Sequence, residues 1–245
     1  MEDLAGLLFA VASVDRLTLF TTIANEKLRL TQLASKLSAS TQETSRHLSR
    51  LQQARIIEKE ADGCFSLTSF GKTFEALLPS LKFLSEHREY FLSHDLSVLP
   101  LDFLERIGEL QRSEFAHGVG LVLSHTSQVL REAKRFVWLA SDNVMDLGTL
   151  GGNAAGGDVA LRIIVPTGSI EGFQSVGAEL PAKVELRVVG RVCAGLALNE
   201  KTAGVTFPDL SGKIDFNSGF AGSDPKFQKW CTDLFTFHWN QAKSL

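Results

Sequence analysis

The stretch from Ser40 to Gly71, "STQETSRHLSRLQQARIIEKEADGCFSLTSFG", decides how the rest of the chain is read. Thr41 to about Ala54 has the spacing of a helix. With Leu48 at the centre of its buried face and about 100° per residue, Thr41, Thr44, Leu51 and Arg55 fall within roughly 60° on the core side. Arg46, Arg50, Glu43 and Gln53 lie opposite, flanked by Gln42 and Ser49. Ile56–Glu60 then reads as a strand, Asp62–Gly63 as its turn and Phe65–Leu67 as the return strand. Thr68 is placed to cap a long helix with an apolar stripe at Leu77, Leu81, Leu84 and Phe91, which Pro79 is expected to bend or restart.

Upstream, "TQLASKLS" is a short helix with Thr31 as its N-cap, and "SAS" is a turn. Two helices joined by a tight turn and followed by a β-ribbon make a winged helix-turn-helix pattern. The outer face of the second helix carries guanidiniums, amides and hydroxyls. A guanidinium pairs with phosphate or bidentately with guanine, while Gln and Ser read base edges. A major groove admits one helix, braced by a shorter one. Thr41, Gln42, Ser45, Arg46, Ser49 and Arg50 are therefore candidate contacts to double-stranded DNA, with Lys59 of the ribbon against adjacent phosphates. The competing reading is a solvated helix face, or a non-catalytic interaction module whose winged helix contacts protein.

The charge distribution agrees with the first reading. The 245-residue chain is net −3. Between Arg16 and Gly71 eight basic residues face five acidic ones, leaving a basic segment at +3 and a remainder at −6. The length suits one large domain or two modest ones. Cys64, Cys193 and Cys231 are far apart and odd in number, which indicates neither a disulfide framework nor a zinc finger, and a reducing, cytoplasmic setting is expected. The opening "LAGLLFAVASV" follows Glu2 and Asp3 and ends at Asp15–Arg16. It is expected to be a buried first helix, Leu4–Ala12, rather than a signal peptide or membrane span. A second helix follows from Ser13 to about Ala24.

Beyond "SHDLSVLP" the texture changes, and a domain boundary is expected near His94. Apolar strand-like runs appear at Phe136–Ser141, Ala160–Pro166 and Val184–Gly190. A hairpin pattern, "AGLALNEKTAGVTFPD", is centred on Asn199–Lys201. A helix-like "VGLVLSHTSQVLREAKR" precedes them. The closing aromatic helix, "DPKFQKWCTDLFTFHWNQA", has Asp224 as cap and Pro225 at its first position. Alternating strands and helices argue for an α/β second domain. "GTLGGNAAGGD" lacks the lysine of a P-loop and the GxGxxG order, and reads as a mobile connection. Trp230, Phe235, Phe237 and Trp239 read as core, and Cys231 as a buried thiol.

The segment "LASKLSASTQETSRHLSRLQQARIIEKEADGCFSLTSFGKTF" resembles the winged helix-turn-helix of arsenic-repressor-like transcription regulators. The resemblance places Ser45–Arg46–His47–Leu48 in the recognition helix. Leu51, Ile57, Asp62–Gly63, Phe65, Leu67–Thr68 and Gly71 match the wing pattern. Arg55 stands where that family usually has Gly, so a different helix exit is expected. The Cys-rich metal motif of the family's sensors is absent, which disfavours metal sensing, and His47 reads as a helix-edge residue near the DNA backbone. "LPLDFLERIGEL" and "VTFPDLSGKIDFNSGFAGSDPKFQKWCTDLFTFHW" resemble the C-terminal domain of archaeal regulators of the methanogenesis-regulator type. Together the resemblances cover nearly the whole chain. They imply a winged-helix domain with dimerisation helices over residues 1–93, an α/β effector domain over 94–245, and a homodimeric archaeal transcription regulator.

The second half also resembles a degenerate half of a phospholipase D-type fold. Enzymes of that kind use an HxK motif, with His as nucleophile and Lys on the phosphate oxygens. His94, His117, His125 and His238 all lack a lysine two residues on, so no catalysis, cofactor or metal is expected. Crevices of open α/β sheets form beyond the carboxyl ends of strands. Those ends, Ser141–Asp142–Asn143, Thr167 and Arg191, are candidate contacts to a small-molecule effector. Transcription machinery is the other expected partner, and no membrane is.

Overall fold

The computed structural model describes residues 2–142, 159–169 and 184–244. The chain forms two compact units, Met1–Pro79 and Ser80–Leu245.

In the first unit, α1 (Glu2–Val11) and α2 (Val14–Asn25) are separated by Ser13, whose hydroxyl accepts the Arg16 N–H. Strand β1 (Leu28–Arg29) leads into α3 (Leu30–Leu37), then α4 (Thr41–Gln53), β2 (Ile57–Lys59) and β3 (Cys64–Leu67). α3 begins one residue before the expected Thr31 cap. Arg29 occupies the cap position, and the Gln32 side chain folds back to accept its N–H at 2.9 Å. Ser40 caps α4, accepting the Glu43 N–H, while its carbonyl takes both the N–H and the hydroxyl of Thr44. Leu19, Phe20, Ile23, Leu33, Leu48, Leu51, Ile56, Phe65 and Phe74 form the core. Each such side chain contributes roughly 1.5–3 kcal/mol on leaving water.

α1 is not the buried helix that its composition predicts. Only Ala10 is buried; Leu4, Leu8 and Phe9 are exposed, Phe9 to 63%. The helix docks through the narrow stripe of Leu7, Ala10 and Val11. Its last carbonyls are held by the Arg16 guanidinium, which donates to Ala10 and Phe9. No single helix among the described residues is long and apolar enough to cross a membrane.

Helix α5 (Ser69–Glu86) starts where Thr68 caps it, the Thr68 Oγ1 accepting the Gly71 N–H at 2.9 Å. Pro79 lies inside α5 without ending it, and the two units divide there, earlier than the change of texture near His94 suggests. The reason is packing: Phe83 and Tyr90 are buried in the core of the second unit. The stripe expected along α5 is mostly open, with Leu77, Leu81 and Leu84 exposed. A short α6 (Arg88–Leu92) follows.

Among the described residues, the second unit is built on an eight-stranded sheet, with β4 (Glu114–His117), β5 (Phe136–Ala140), β6 (Ala160–Pro166), β7 (Val184–Val189), β8 (Gly195–Asn199), β9 (Ala203–Thr206), β10 (Ser218–Gly222) and β11 (Lys243–Ser244). The order is β11-β7-β6-β5-β8-β9-β10-β4. Only β5, β6 and β7 are mutually parallel; β8, β9, β10 and β4 continue antiparallel from β5. The sheet is therefore mixed: β8 runs antiparallel to β5, and the tight turn at Asn199–Thr202 reverses β8 into β9. The Asn199 side chain holds that turn, accepting the N–H groups of Lys201 and Thr202.

Helix α7 (Leu101–Glu105) and the closing α9 (Pro225–Gln241) cover one face of the sheet; α8 (Val119–Glu132) covers the other. Alternate strand residues divide accordingly. Trp138, Ala140, Leu196, Leu198, Ala203, Val205 and Phe220 face the α9 core. Val137, Leu139, Leu161, Ile163 and Val165 face α8. Asp224 caps α9, accepting the Lys226 and Phe227 N–H groups. Trp230, Cys231, Phe235 and Trp239 are buried as expected, the Trp230 ring N–H donating to Phe103.

Candidate nucleic-acid interface

The exit of α4 fixes how its outer face is presented. Ala54 is the C-cap of the helix, and Arg55 follows with φ +57°, the left-handed conformation. The Arg55 N–H donates to the Gln52 carbonyl at 2.8 Å and the Ile56 N–H to the Leu51 carbonyl at 3.2 Å. This pair of bonds is the Schellman motif, with Leu51 and Ile56 packed as its apolar contact. The chain thus leaves the helix as it would with Gly at this place, despite a β-carbon. The expectation of a different exit is corrected: Arg55 keeps the geometry, at a cost in strain. It also moves Arg55 off the helical wheel, so the residue is exposed instead of core-facing. Thr41 is exposed too, being the first residue of the helix, whereas Thr44, Leu48 and Leu51 are buried as expected.

The wing is locked to this exit. The Thr68 hydroxyl donates to the Arg55 carbonyl at 2.6 Å, and the Thr68 N–H to the Ile56 carbonyl at 3.2 Å. A β-carbon on Gly71 would stand 1.9 Å from the Ile56 carbonyl oxygen, so only glycine allows α5 to pass. β2 and β3 pair in the register Ile57↔Leu67, Glu58↔Ser66, Lys59↔Phe65, with β1 on the other side of β3. β1 was not legible in the sequence, since two residues carry no periodicity. Gly63 turns the ribbon at φ +84° beside Asp62, whose carboxylate accepts the Cys64 N–H.

All seven predicted DNA contacts, Thr41, Gln42, Ser45, Arg46, Ser49, Arg50 and Lys59, are exposed. They do not form one uniform face. Arg50, with Gln53 and Ala54, borders a groove against α1 that also contains Glu2, Asp3 and Phe9. Gln42, Ser45, Arg46 and Ser49 do not line that groove, although Arg46 shares the helix face of Arg50 and Gln53 one turn nearer the N-terminus. His47 is turned toward α2, with its Nε2 3.6 Å from Asp15 Oδ2. It is half-buried between α4 and α2. The donor atoms of Asp15, Glu43 and His47 lie within 4.8 Å of one another. On the wing, Lys59 sits over the Phe65 ring at 5.9 Å, between Glu58 and Glu60. Lys27 pairs with Glu60 at 2.6 Å. The wing is thus not a basic surface, and the cationic character rests on α4.

In the second unit the parallel strands bring the ends of β5, β6 and β7 to one edge, so Ser141, Thr167 and Arg191 do lie on the same side of the sheet. Their roles differ. Ser141 is buried and lines a cavity under α8. Asp142 is structural: its carboxylate accepts the Ile214 N–H at 3.0 Å and its carbonyl the Ser169 hydroxyl. Thr167 is exposed and donates to the Val189 carbonyl, and Arg191 is exposed. Asn143 and the Gly-rich "GTLGGNAAGGD" lie outside the described residues.

Two polar clusters were missed by sequence reasoning because their members are far apart in the chain. His94 Nε2 lies 3.1 Å from Asp215 Oδ2, its Nδ1 2.7 Å from the Tyr90 carbonyl, and its ring stacks on Tyr90. Burial opposes the charge on Asp215, but the Ser218 hydroxyl, the Asn217 N–H and His94 outweigh it and hold the carboxyl below its usual range. Cys193 Sγ lies 2.9 Å from His238 Nε2, both buried. Burial pushes that thiol up to about 12 and the imidazole down. The pair is neutral near pH 7, a buried S–H···N hydrogen bond and not a thiolate–imidazolium nucleophile.

A scan of protein-family models finds no match, and neither does a search of curated proteins. Solved structures do resemble the chain. TrmBL2, described as an archaeal chromatin protein with a novel mode of DNA binding, is 15% identical over 95% of this chain and 94% of its own, with TM-score 0.46. NolR from Sinorhizobium fredii is 30% identical over 31% of this chain and 81% of its own, with TM-score 0.29. Reduced HlyU from Vibrio cholerae N16961 is 27% identical over 36% of this chain and 90% of its own, with TM-score 0.28. Two helices joined by a three-residue turn, a ribbon locked to the second helix and a following capped helix identify the first unit as a winged helix-turn-helix, the architecture of DNA-binding regulators.

Proposed function

We propose that this protein is a homodimeric, sequence-specific DNA-binding regulator of transcription, with α4 in the major groove and the second unit sensing a small molecule. The observation that carries the reading is the rigid presentation of Gln42, Ser45, Arg46 and Ser49. Ser40 caps one end of their helix and the Schellman exit, bonded to Thr68, holds the other. A helix fixed at both ends loses little freedom on binding, so its polar side chains are available for base edges and phosphates. Arg46 is the principal guanidinium; Arg50, beside α1, is placed for a flanking phosphate. Lys59, between two carboxylates, contributes least.

Dimerisation fits the apolar residues left open on the first unit, Leu4, Leu8 and Phe9 of α1 and Leu77 of α5. Two half-sites supply affinity that one short helix lacks. The second unit is read as non-catalytic, since its buried Cys193–His238 pair is neutral and its histidines lack the lysine of a phospholipase D-type motif. The likeness to that fold rests on strand and helix order alone.

The test is binding of the purified protein to its own upstream DNA and to random DNA over a salt series. Specific binding should weaken steeply with salt, as phosphate contacts release counterions. Arg46→Ala should cost about 1–3 kcal/mol on the specific site. Equal affinity for both DNAs, or an Arg46→Ala protein that binds like the parent, overturns the proposal and favours a protein-contact role.

A further inference from the structure

The face of the sheet beneath α8 changes character halfway across. Under β5 and β6 it presents Val137, Leu139, Leu161, Ile163 and Val165, which pack against Val129. On β8, β9, β10 and β4 the residues of the same face are Gly195, Ala197, Gly204, Thr206, Gly219, Ala221 and Ala116. The register sets them side by side: Gly195↔Thr206, Ala197↔Gly204, Ala221↔Gly204 and Gly219↔Ala116 are neighbours across four consecutive strands. The alternate positions of the same strands carry Leu196, Leu198, Val205 and Phe220 toward α9, so the small residues are confined to one face. α8 spans this flat bed with Val122, His125, Thr126 and Val129 and does not reach its floor. The result is a cavity of about 70 Å³, bounded also by Ser141 and Phe216.

Sheets packed under helices are normally filled to crystal-like density, and an empty apolar space of this kind is destabilising. A second feature points to an occupant. Thr206 is 8% exposed and lines the cavity, yet its hydroxyl has no hydrogen-bond partner among the described residues. The two glycines beside it are required by it: β-carbons on Gly195 and Gly219 would each stand 2.5 Å from Thr206 side-chain atoms. Its position, and the space around it, are built by the sequence of three strands. Gly204 differs, since a β-carbon there meets nothing closer than 3.7 Å and would project into open cavity.

We infer that this cavity is the ligand site of the second unit, and that it takes a planar, largely apolar ring bearing one polar substituent. The floor of glycines and alanines is flat and suits a ring face. Thr206, which both donates and accepts, takes the substituent, with the His125 imidazole on the roof as a second partner. One water needs about 10–15 Å³ of such space, so the volume corresponds to roughly 5–7 heavy atoms, the size of phenol. This assignment deepens the effector reading given above and rests on it only for the consequence, not for the binding.

The experiment uses the full chain and two probes of equal shape, phenol and toluene, with binding read by ligand-observed NMR and by melting temperature. The parent should bind phenol about 2–10-fold more tightly than toluene and melt roughly 2–4 °C higher in saturating phenol. Gly204→Val fills the cavity and should abolish both effects. Thr206→Val keeps the shape and should erase the preference for phenol while leaving toluene binding intact. Should Gly204→Val misfold, Thr206→Val still decides. No binding to the parent, or binding unchanged in both variants, overturns the site. Upstream-DNA affinity is then measured with and without saturating phenol. Phenol that binds as described but leaves DNA affinity unchanged keeps the site and removes its sensing role.

Discussion

Arg55 is the residue at which sequence and conformation disagree most sharply, and replacing it tests the description of the α4 exit. At φ +57° an L-residue bears about 1–2 kcal/mol of steric cost. Arg55→Gly removes that cost but gives the unfolded chain freedom worth roughly 0.5–1 kcal/mol. The difference is a net stabilisation of about 0.5–1 kcal/mol, with the bonds from Arg55 N–H to Gln52 and from Ile56 N–H to Leu51 unchanged. In urea this is a rise in midpoint of roughly 0.3–0.6 M. The assay separates the two units without cutting the chain. All three tryptophans (Trp138, Trp230, Trp239) and Tyr90 belong to the second unit, so their fluorescence reports it alone. Hydrogen exchange of the Leu48, Leu51 and Ile57 amides reports the first. The first-unit protection should rise and the tryptophan transition should not move. Arg55→Ala, which removes the same charge but keeps a β-carbon, should gain nothing. A glycine variant no more stable than the alanine one refutes the strained Schellman exit.

Three more outcomes are expected. Gly71→Ala places a methyl against the Ile56 carbonyl and should destabilise the first unit by about 3 kcal/mol or more, seen as loss of exchange protection in β2 and β3. Asp215→Asn should lower second-unit stability by roughly 1–3 kcal/mol at neutral pH. Because the folded-state pKa of Asp215 is depressed, its contribution is present above the unfolded value and disappears as pH falls below about 4. The difference between parent and variant in urea melts should therefore shrink below that pH; a difference that persists unchanged removes the ionised Asp215 from the account. Phe9→Glu, at an exposed apolar position of α1, should shift the protein from dimer to monomer in sedimentation while leaving tryptophan fluorescence unchanged. A parent that already sediments as a monomer removes the dimer from the proposal.

Local signals determined the winged helix. Ser40 and Thr68 are cap residues at the places where helices start, Asp62–Gly63 is a turn pair, and Leu48, Leu51 and Ile57 carry the spacing of helix and strand. Each is satisfied by neighbours within a few residues, so the order of elements follows from the chain itself. The same holds for β6 and for the Asp224–Pro225 start of α9. Tertiary structure decided what depends on partners distant in sequence. The apolar face of α1 stayed open because α1 docks by a narrow stripe, which composition cannot show. Arg55 took the glycine conformation because the wing, through Thr68 and Gly71, leaves no other path. The clusters His94–Asp215 and Cys193–His238 join residues with no shared local pattern. The cavity under α8 is the furthest such case: glycines and alanines on separate strands look like weak strand residues until the register sets them side by side. Burial and void are properties of surfaces brought together, whereas caps, turns and periodicity are properties of a single segment.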